Sequence, residues 1–358
     1  MKKFFSFFLL TFAVLLFASE YNFVALGDIH YDGEKYHISP PSNSRRKHER
    51  ERNFNMWNSG KSDAVLAAAS KAATDNKAVF VAQIGDLTQG YCENVDLQVK
   101  MFTDGFPRIK GHFPNHKLYV IRGNHDARLE KGYTDEPSVK AFFPHIAKEL
   151  GRERVDGTYI VRQSQDLFIF FDGFSTPKKS AAAVKQALED NADARYVFFI
   201  THLPVLACSP AFPGWLIPGV APITEMLAKV NAIILTAHTH LPSFISVETP
   251  HGTLTQMVVS SIGTSWDPAK PREVKCSDVD SFEKICRPQQ LAKKTSVNAF
   301  KALRSYRTKE FTIYSPNSGF AVIKVNDDAV TADVYTSADG KPVKTEILRK
   351  NAKMENKK

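Results

Sequence analysis

The stretch KLYVIRGNHD, residues 117–126, decides the fold, because in it an apolar strand runs directly into a group of polar side chains. Its first half, KLYVI, is rich in β-branched and aromatic residues, which predicts a short buried strand. Its second half ends in Gly123-Asn124-His125-Asp126. Ligands bind at the carboxyl ends of strands in open α/β sheets. The sequence therefore predicts a functional site at the edge of a sheet, where this strand ends.

Four other predicted strands end in the same way. They are Tyr21–Leu26 before Asp28 and His30, Ala78–Ile84 before Asp86, Tyr196–Ile200 before His202, and Ala232–Leu235 before His238 and His240. Each motif alone has an ordinary interpretation, since Gly-Asp pairs mark turns and a single histidine can be a hydrogen-bonded core residue. Five motifs at five strand ends favour one shared site. Carboxylate, imidazole and amide oxygen together suit divalent first-row metals.

Helical segments alternate with these strands, which indicates an α/β architecture. The predicted helices are Ser62–Thr74 with Ser62 as its N-cap, Ser180–Glu189 and Pro222–Val230. The C-terminal third instead contains successive strands with short turns, which predicts antiparallel pairing. These strands are Phe244–Glu248, Thr253–Val259, Gly319–Val325, Val330–Tyr335 and Val343–Leu348.

We expect a single domain over residues 20–350. Within it, residues 263–318 form a long polar insertion that carries one predicted helix, Val297–Tyr306, and residues 319–350 form the C-terminal strands. Insertions of that length are usually functional or mobile.

The ordered set of motifs resembles that of the calcineurin-like metallophosphoesterase superfamily. In that family Asp-x-His, Gly-Asp, Gly-Asn-His-Asp/Glu, a single His and Gly-His-x-His assemble a dinuclear metal site, and the matching region here runs from about Tyr21 to about Gly263. The resemblance implies a four-layer α/β/β/α sandwich with two mixed β-sheets. It also implies an enzyme with two divalent ions (Mn, Fe, Zn, Co or Ni). Such an enzyme hydrolyses phosphomonoesters or phosphodiesters through in-line attack by a hydroxide that bridges the metals.

The same resemblance assigns a role to each motif residue. One ion would be held by Asp28, His30 and His240, the other by Asn124, His202 and His238, and Asp86 would bridge them. His125 would lie beside the phosphate and stabilise charge or protonate the leaving oxygen, and Asp126 would orient His125. One residue departs from the family pattern, because Ala237 replaces the glycine before the last histidine pair. We expect this alanine to tune the site rather than to abolish activity.

Two residues outside the metal-ligand set are candidate substrate contacts. Tyr31 is one, because Tyr31-Asp32 is similar to the acid sphingomyelinase-like members of the superfamily. Arg128 is the other, because an arginine two residues after Asp126 could bind a phosphate oxygen.

The segments flanking the motifs have more than one interpretation. The polar segment Tyr31–Gly60 is expected to form a loop over the site, and its basic cluster at 45–52 is interpreted as a solvated helix face. Phe212 and Trp215 follow His202 and could form an apolar wall of the site; ordinary loop packing is the alternative.

Two functions stay open for such a chain. The first is hydrolysis of a phosphorylated small molecule or lipid head group. The alternative is a catalytically weak relative that binds metal and anionic ligands or membrane surfaces. The complete ligand set and the intact His125 favour the enzyme. A nucleic-acid binder without metal would leave the ordered motifs unexplained, so no specific nucleic-acid partner is expected, and the sequence does not indicate an oligomeric state.

Composition and the N-terminus bear on the compartment. Apolar residues make up 43% and charged residues 24% of the chain, which is ordinary for a soluble globular protein, and the formal charge of +9 favours anionic partners. Lys2 and Lys3 precede an apolar run, Phe4–Phe17, which predicts a signal peptide over residues 1–19 and export to the periplasm or the medium. An uncleaved N-terminal anchor is the alternative. The mature chain has no second apolar span, and residues 351–358 are expected to be a basic tail.

The four cysteines are even in number, as is usual for disulfide-bonded exported proteins. Cys276 and Cys286 are close enough in sequence for a local bridge, which would leave Cys92 and Cys208 as the second pair. Four unpaired thiols and the other connectivities are the alternatives.

Overall fold

Two β-sheets form the centre of the structure, a computed structural model that describes residues 20–174, 176–263, 272–315, 318–336 and 341–351. Within those ranges the strands, numbered in chain order, are β1 (Tyr21–Leu26), β2 (Ala78–Ile84), β3 (Lys117–Ile121), β4 (Arg128–Leu129), β5 (Gly132–Tyr133), β6 (Tyr159–Gln163), β7 (Asp166–Phe171), β8 (Val197–Thr201), β9 (Ile233–Thr236), β10 (Ser243–Thr249), β11 (Gly252–Val258), β12 (Glu273–Lys275), β13 (Arg307–Tyr314), β14 (Phe320–Val325), β15 (Ala329–Tyr335) and β16 (Lys344–Lys350).

Helices connect these strands. In the same ranges they are α1 (Ser44–Asn58), α2 (Lys61–Asp75), α3 (Val95–His112), α4 (Phe143–Leu150), α5 (Pro177–Asp190), α6 (Ala221–Lys229), α7 (Val279–Ile285), α8 (Pro288–Leu291) and α9 (Lys294–Arg304). Single turns of 3-10 helix lie at Glu34–Tyr36 and His125–Ala127, and a π-helical turn, Ser138–Phe142, precedes α4. None of the described helices is long and apolar enough to cross a membrane.

Both large sheets are mixed. The first has the order β16-β15-β14-β1-β2-β3, in which β1, β2 and β3 are parallel and β14, β15 and β16 are antiparallel. The second has the order β12-β13-β10-β11-β9-β8-β7-β6, in which β11, β9, β8 and β7 are parallel and the outer strands are antiparallel. β4 and β5 form a separate hairpin.

The two sheets pack face to face through aromatic side chains. Phe23 and Phe80 of the first sheet contact Phe168 of the second at ring-centroid distances of 5.3 and 5.2 Å, and each of these rings is at most 1% exposed. Burial of one such ring stabilises the fold by about 1.5–3 kcal/mol. A sliding of one sheet over the other would expose several of them, so the relative position of the sheets, and of the strand ends, is fixed.

Helices cover the outer face of each sheet. α2 packs on β1 and β2, α4 on β3, α5 on β7, and α6 on β11. β7 is buried on both sides: Phe168 and Phe170 point into the core between the sheets, while Ile169 and Phe171 pack in the outer core that includes α5 and α6. The predicted four-layer α/β/β/α sandwich is therefore confirmed.

Most predicted strands agree closely with the structure. β1, β2 and β3 have the predicted boundaries, and the other predicted strands differ by one or two residues at their ends. The antiparallel pairing of β10 with β11, of β14 with β15, and of β15 with β16 is confirmed. The local alternation of apolar residues was sufficient for these elements because their burial depends on strand periodicity.

The helices were predicted less well. α2 begins at Lys61, with Gly60 as its N-cap at a φ of +73°, so Ser62 lies in the first turn and is not the cap. The segment Tyr31–Gly60, expected as a loop, contains α1, a helix of four turns with only Asn53, Met56 and Trp57 buried. A helix that buries so few side chains has no clear apolar periodicity in its sequence.

Two strands and three helices lie in the described part of the proposed 263–318 insertion. β13 pairs with β10 in the second sheet, and β12 pairs with β13. α9 begins at Lys294 and ends at Arg304, a few residues before the predicted bounds. The proposed signal peptide, residues 1–19, and all of the proposed basic tail except Asn351 lie outside the described residues.

The four cysteines are free, buried thiols, so the predicted disulfides are not formed. Cys92 lies in a small cluster with Tyr36 and Met101, whereas Cys208 packs in the outer core of the second sheet. Cys276 and Cys286 both belong to that outer core, yet their sulfurs are not bonded. The short sequence spacing correctly indicated that Cys276 and Cys286 belong to the same core. Cys92 and Cys208 do not, because they pack in different clusters.

We expect all four thiols to be unreactive toward a thiol reagent in the folded protein and to react in denaturant without reductant. Burial raises the pKa of Cys208 and of Cys286 to about 12 and also raises the pKa of Cys92 and of Cys276, so almost no thiolate forms at about pH 8. The absorbance of the dye that the reagent releases measures the number of reactive thiols per chain. Fewer than four thiols in denaturant, restored to four by reductant, would show that disulfides form.

Candidate metal centre

The five polar motifs converge at one edge of the sandwich. β1, β2 and β3 deliver residues from the first sheet, and β8 and β9 deliver residues from the second. Every predicted metal ligand is brought to this place: Asp28, His30, Asp86, Asn124, His202, His238 and His240. The sandwich thus assembles residues that are separated by up to 212 positions in the sequence.

One group of ligand atoms comes from Asp28, His30 and His240. The Nε2 atoms of His30 and His240 lie 3.1 Å apart, and Nε2 of His240 lies 3.6 Å from Oδ1 of Asp28. Two nitrogens that bind one ion at about 2.1 Å each stand roughly 3 Å apart. The spacing of the two rings therefore fits a shared metal ion.

The second group comes from Asp86, His202 and His238, with Asn124 beside them. Nε2 of His202 lies 3.2 Å from Oδ2 of Asp86, 3.2 Å from Oδ1 of Asn124 and 3.2 Å from Nδ1 of His238. The Nδ1 of His202 donates to the carbonyl of Ile84 at 2.9 Å, which leaves its Nε2 free for a metal.

Asp86 lies between the two groups. Its Oδ2 is 3.2 Å from Nε2 of His202 and 3.9 Å from Nε2 of His30, and the side chain is 1% exposed. Its Oδ1 accepts a hydrogen bond from the backbone N–H of His125 at 2.7 Å. This carboxylate is therefore placed to contact ions in both groups.

The backbone is strained at this centre. Eight non-glycine residues of the described chain have positive φ, and four of them are here: His30 (50°), Asp86 (51°), His238 (69°) and His240 (52°). Each costs on the order of 1–3 kcal/mol, and such residues cluster at functional sites. The strain is an independent indication that this geometry is functional.

The glycines of the motifs make room for other ligand residues. A Cβ at Gly123 would overlap the backbone nitrogen and the carboxylate of Asp86, and a Cβ at Gly85, where φ is +81°, would overlap the His202 ring. These two glycines therefore allow close approach of one motif to another.

The charge states favour metal binding. Burial lowers the pKa of His30 and His238 well below the ordinary value and that of His240 to about 3, so these rings are in the neutral form that binds metals. Burial raises the pKa of Asp86, but His202, His125 and His30 outweigh it and hold the pKa well below its usual range.

Asp28 and Asp86 place two carboxylates in one buried site beside His202. Burial, with the charge of Asp86, raises the pKa of Asp28 to about 7. Burial lowers the pKa of His202, but Asp86 and Asp28 outweigh it and raise that pKa to about 9. The donor set of carboxylates, imidazoles and one amide therefore fits two divalent first-row ions.

His125 is held at the edge of the centre with one nitrogen facing the open cavity. Its Nδ1 lies 2.6 Å from the carbonyl oxygen of Gln89, and because a carbonyl only accepts, Nδ1 carries the proton. Its Nε2 lies 3.7 Å from Oε1 of Glu49 and 4.0 Å from Oδ2 of Asp86. The ring also packs edge-on against Tyr91.

Asp126 does not have the predicted contact with the His125 ring. Its carboxylate accepts hydrogen bonds from the backbone N–H groups of Thr88 (2.9 Å) and Gly123 (2.8 Å) and from the Thr88 hydroxyl. It ties the loop after β2 to the loop after β3. The Gln89 carbonyl instead orients His125, a contact that the sequence does not reveal because any residue provides a carbonyl.

A cavity of about 900 Å³ opens above the centre. Its floor includes Asp86, Asn124, His125, His238 and His240. Three further segments supply its walls: Arg45, His48, Glu49 and Arg52 from α1; Phe212, Gly214, Trp215 and Leu216 after β8; and Tyr91, Arg128 and Tyr133 on a third side. Phe212 and Trp215 stack at 3.7 Å, and the Trp215 ring is 4.9 Å from the His238 ring, so these residues form an apolar wall, the other of the two interpretations being ordinary loop packing.

The two predicted substrate contacts differ in position. Arg128 lines the cavity. Tyr31 does not, because its ring packs edge-on against Trp57 at 5.0 Å and its hydroxyl lies 3.3 Å from that of Tyr36. The short similarity around Tyr31 therefore marks a packing residue.

The α1 wall was missed by the sequence analysis. Its four cavity residues have the spacing i, i+3, i+4 and i+7, which places them on one helix face. The basic cluster was interpreted as a solvated helix face; Arg45, Lys47 and Arg52 are exposed, but Arg45 and Arg52 also line the cavity. The helix is docked by the Trp57 Nε1–H, which donates to the carbonyl of His30 at 2.9 Å.

Ala237 is accommodated without backbone strain. It is fully buried, and it is not among the described residues with positive φ. Its N–H donates to the carbonyl of His202 at 3.2 Å, while the strained positions are the two histidines that follow. A glycine is therefore not required at this position by the conformation of the chain.

Comparisons with known proteins agree with this geometry. The sequence model of the calcineurin-like phosphoesterases matches residues 21–242, well over half of the chain. None of the curated proteins is significantly similar to the sequence.

Among solved structures, a dimetal phosphatase from Danio rerio has a TM-score of 0.54 at 11% identity, covering 92% of this chain and 99% of that one. GAP50, described as the anchor in the inner membrane complex of Plasmodium, has a TM-score of 0.55 at 11% identity, covering 93% and 90%. PhoD has a TM-score of 0.51 at 12% identity, covering 94% and 72%. At these identities the likeness shows the fold alone.

Proposed function

The chain belongs to the calcineurin-like phosphoesterase family, and from that premise we propose that it hydrolyses phosphate esters at a centre of two divalent metal ions. One observation carries the proposal: the Asp86 carboxylate lies between two complete ligand groups, with His125 beside it and open to the cavity. The substrate would be a phosphomonoester or phosphodiester of a small molecule or lipid head group.

In the proposed reaction the site residues would bind the two metal ions. Asp28, His30 and His240 would hold one ion, Asn124, His202 and His238 the other, and Asp86 both. Bound there, divalent ions supply Lewis acidity toward phosphoryl oxygens and lower the pKa of water for an in-line displacement. In that displacement a water oxygen bonds to phosphorus as the bond to the leaving oxygen breaks.

His125 would act on the leaving group. Its Nδ1 is held by the Gln89 carbonyl, so Nε2 is the atom that faces the substrate. In the imidazolium form, with a proton on each nitrogen, Nε2 can donate a hydrogen bond to a phosphoryl oxygen or a proton to the leaving oxygen. Asp126 contributes by fixing the loop that carries both Asn124 and His125.

Metal analysis and two chromogenic substrates test the proposal. The purified protein, reconstituted with manganese and freed of excess metal, is expected to retain about two ions per chain. It is expected to hydrolyse p-nitrophenyl phosphate, its bis ester, or both, and the ratio of the two rates would give the ester preference. Retention of fewer than about one ion would contradict the dinuclear centre.

A binding role without catalysis is the second candidate. GAP50 is described as an anchor, and the present chain shares its fold. Full metal occupancy with no hydrolysis of either chromogenic ester would support this candidate. The complete ligand groups and the open Nε2 of His125 favour the enzyme.

Export is proposed from the N-terminal sequence. Lys2, Lys3 and the apolar run Phe4–Phe17 have the charge and length of a signal peptide. We expect the mature protein to begin near Glu20, as measured by intact-mass and N-terminal sequencing after expression with the full leader. A chain that starts at residue 1 in the membrane fraction would instead show the uncleaved anchor.

A further inference from the structure

The mouth of the cavity carries three arginines that no carboxylate neutralises. Arg45 and Arg52 lie on α1, and Arg128 follows the 3-10 turn after β3. Among the described residues, no carboxylate oxygen lies within 4.0 Å of any of the three guanidinium groups. We refer to Arg45, Arg52 and Arg128 as the guanidinium rim.

Other arginines on α1 are used for structure. Arg46 pairs with the carboxylate of Glu130 at 2.8 Å and donates to its carbonyl at 2.7 Å. Arg50 donates to the carbonyl of Ser39 at 3.1 Å. The helix therefore directs two arginines to internal partners and two others to the cavity, so the rim is not a general property of a basic helix.

Aromatic rings hold two members of the rim. The Arg45 guanidinium lies 5.7 Å from the ring centre of Trp215, and that of Arg128 lies 5.1 and 4.8 Å from those of Tyr91 and Tyr133. Arg128 also donates to the Tyr133 hydroxyl at 2.9 Å, and its Nε is buried without a hydrogen-bond partner in the described chain. Cation–π contacts order an arginine without neutralising its charge, whereas a carboxylate would neutralise it. Arg45 and Arg128 are thus ordered without an ion-pair partner among the described residues.

The metal centre does not need these charges. Two divalent ions against the carboxylates of Asp28 and Asp86 leave two positive charges, which one dianionic phosphoryl group balances. On the cavity wall the only acidic residues of the described chain are Asp86 and Glu49, and Glu49 faces His125. The rim therefore leaves a positive excess after the scissile phosphate is bound.

The rim also extends away from the metals. Arg52 is near the ligand groups. Burial is the main cause of the lowered pKa of His240, and the charge of Arg52 is the next cause. Arg45 lies seven residues earlier on the helix, about 10 Å along its axis, and contacts Trp215 and Phe212. The two arginines thus come from positions two helical turns apart, so Arg45 can bind a second anionic group while Arg52 stays near the ligand groups.

We propose that the substrate is a phosphate ester that carries a second phosphate group, bound at the outer end of the guanidinium rim by Arg45. This inference rests on the proposed phosphoesterase function and specifies its substrate class as organic bisphosphates. Guanidinium groups bind phosphate through paired, charge-assisted hydrogen bonds, so the second phosphate adds affinity that a monophosphate lacks.

Matched substrate pairs test the proposal on the manganese-loaded, full-length protein. The pairs are fructose 6-phosphate with fructose 1,6-bisphosphate, and adenosine 5′-monophosphate with adenosine 3′,5′-bisphosphate. In at least one pair the bisphosphate is expected to have a kcat/KM about tenfold or more above the monophosphate. For an enzyme that cleaves only diesters, the same ratio is read from the inhibition constants of the four compounds.

Two variants of α1 identify the cause of that ratio. Arg45→Gln is expected to reduce it to near one. Lys47→Gln removes the same charge from an exposed position on the same helix that does not line the cavity, and is expected to preserve the ratio. A ratio near one in both pairs for the wild type, or equal effects of the two variants, would overturn the inference. If p-nitrophenyl phosphate and its bis ester are both inert, the proposed function itself fails.

Discussion

Replacement of Asp86 by alanine is expected to remove bound metal and to lower kcat/KM for p-nitrophenyl phosphate by about a thousandfold or more. Asp86 Oδ2 lies against both ligand groups, at 3.2 Å from His202 and 3.9 Å from His30. Metal ions supply several kcal/mol of transition-state stabilisation, and each 1.36 kcal/mol is tenfold in rate. Metal content by mass spectrometry and steady-state kinetics measure the two effects.

Asp86→Asn separates metal binding from folding. An amide retains the shape of the carboxylate and can still accept the hydrogen bond from the His125 N–H, but it cannot bridge two cations. Asp193→Ala is the matched control, because Asp193 is exposed and paired only with Arg162. Retention of both ions by Asp86→Ala, or activity within tenfold of the wild type, would contradict the bridging role.

His125→Ala is expected to lower kcat by about 10²- to 10⁴-fold while metal content stays at the wild-type value. The Nδ1 of the ring is held by the Gln89 carbonyl, and the side chain lines the cavity. His125 does not belong to either of the two ligand groups assigned to the ions. If Nε2 protonates the leaving oxygen, the loss is greater for an alkyl phosphate than for p-nitrophenyl phosphate, because p-nitrophenolate leaves without a proton. Kinetics on the two esters measure this difference.

His251→Ala is the control for that variant. His251 is exposed and its nearest charged partner is Glu225 at 3.9 Å, so its removal is expected to leave activity unchanged. Loss of metal by His125→Ala as complete as that of Asp86→Ala would show that His125 is a ligand. Equal losses for the two esters would assign it to charge stabilisation instead of proton donation.

The structure also changes the explanation of several motif residues. Gly85 and Gly123 are each required because another motif residue occupies the space where a Cβ would be. Asp126 was expected to orient His125, but it binds backbone N–H groups on two loops. In each case the residue type was recognised from the sequence, while its contact depended on which strand ends become neighbours.

The sequence by itself determined which candidate ligands stand at the ends of five strands. Strand periodicity is local, because side chains alternate between faces within a few residues, and metal ligation restricts the residue types to Asp, Asn and His. These two constraints are readable without knowledge of the sheet order. They were enough to predict an α/β fold and the residues that meet at one edge of it, whereas the four-layer sandwich was implied by the family resemblance.

Only the tertiary structure decided what surrounds those ligands. α1 buries three side chains and has little apolar periodicity, so its position is set by long-range contacts such as that of Trp57 with the His30 carbonyl. That docking turns Arg45 and Arg52 toward the cavity and leaves Tyr31 in the packing beneath the helix. Contacts between segments far apart in the chain carry no local sequence pattern, and for that reason the cavity wall and the guanidinium rim became visible only in the folded chain.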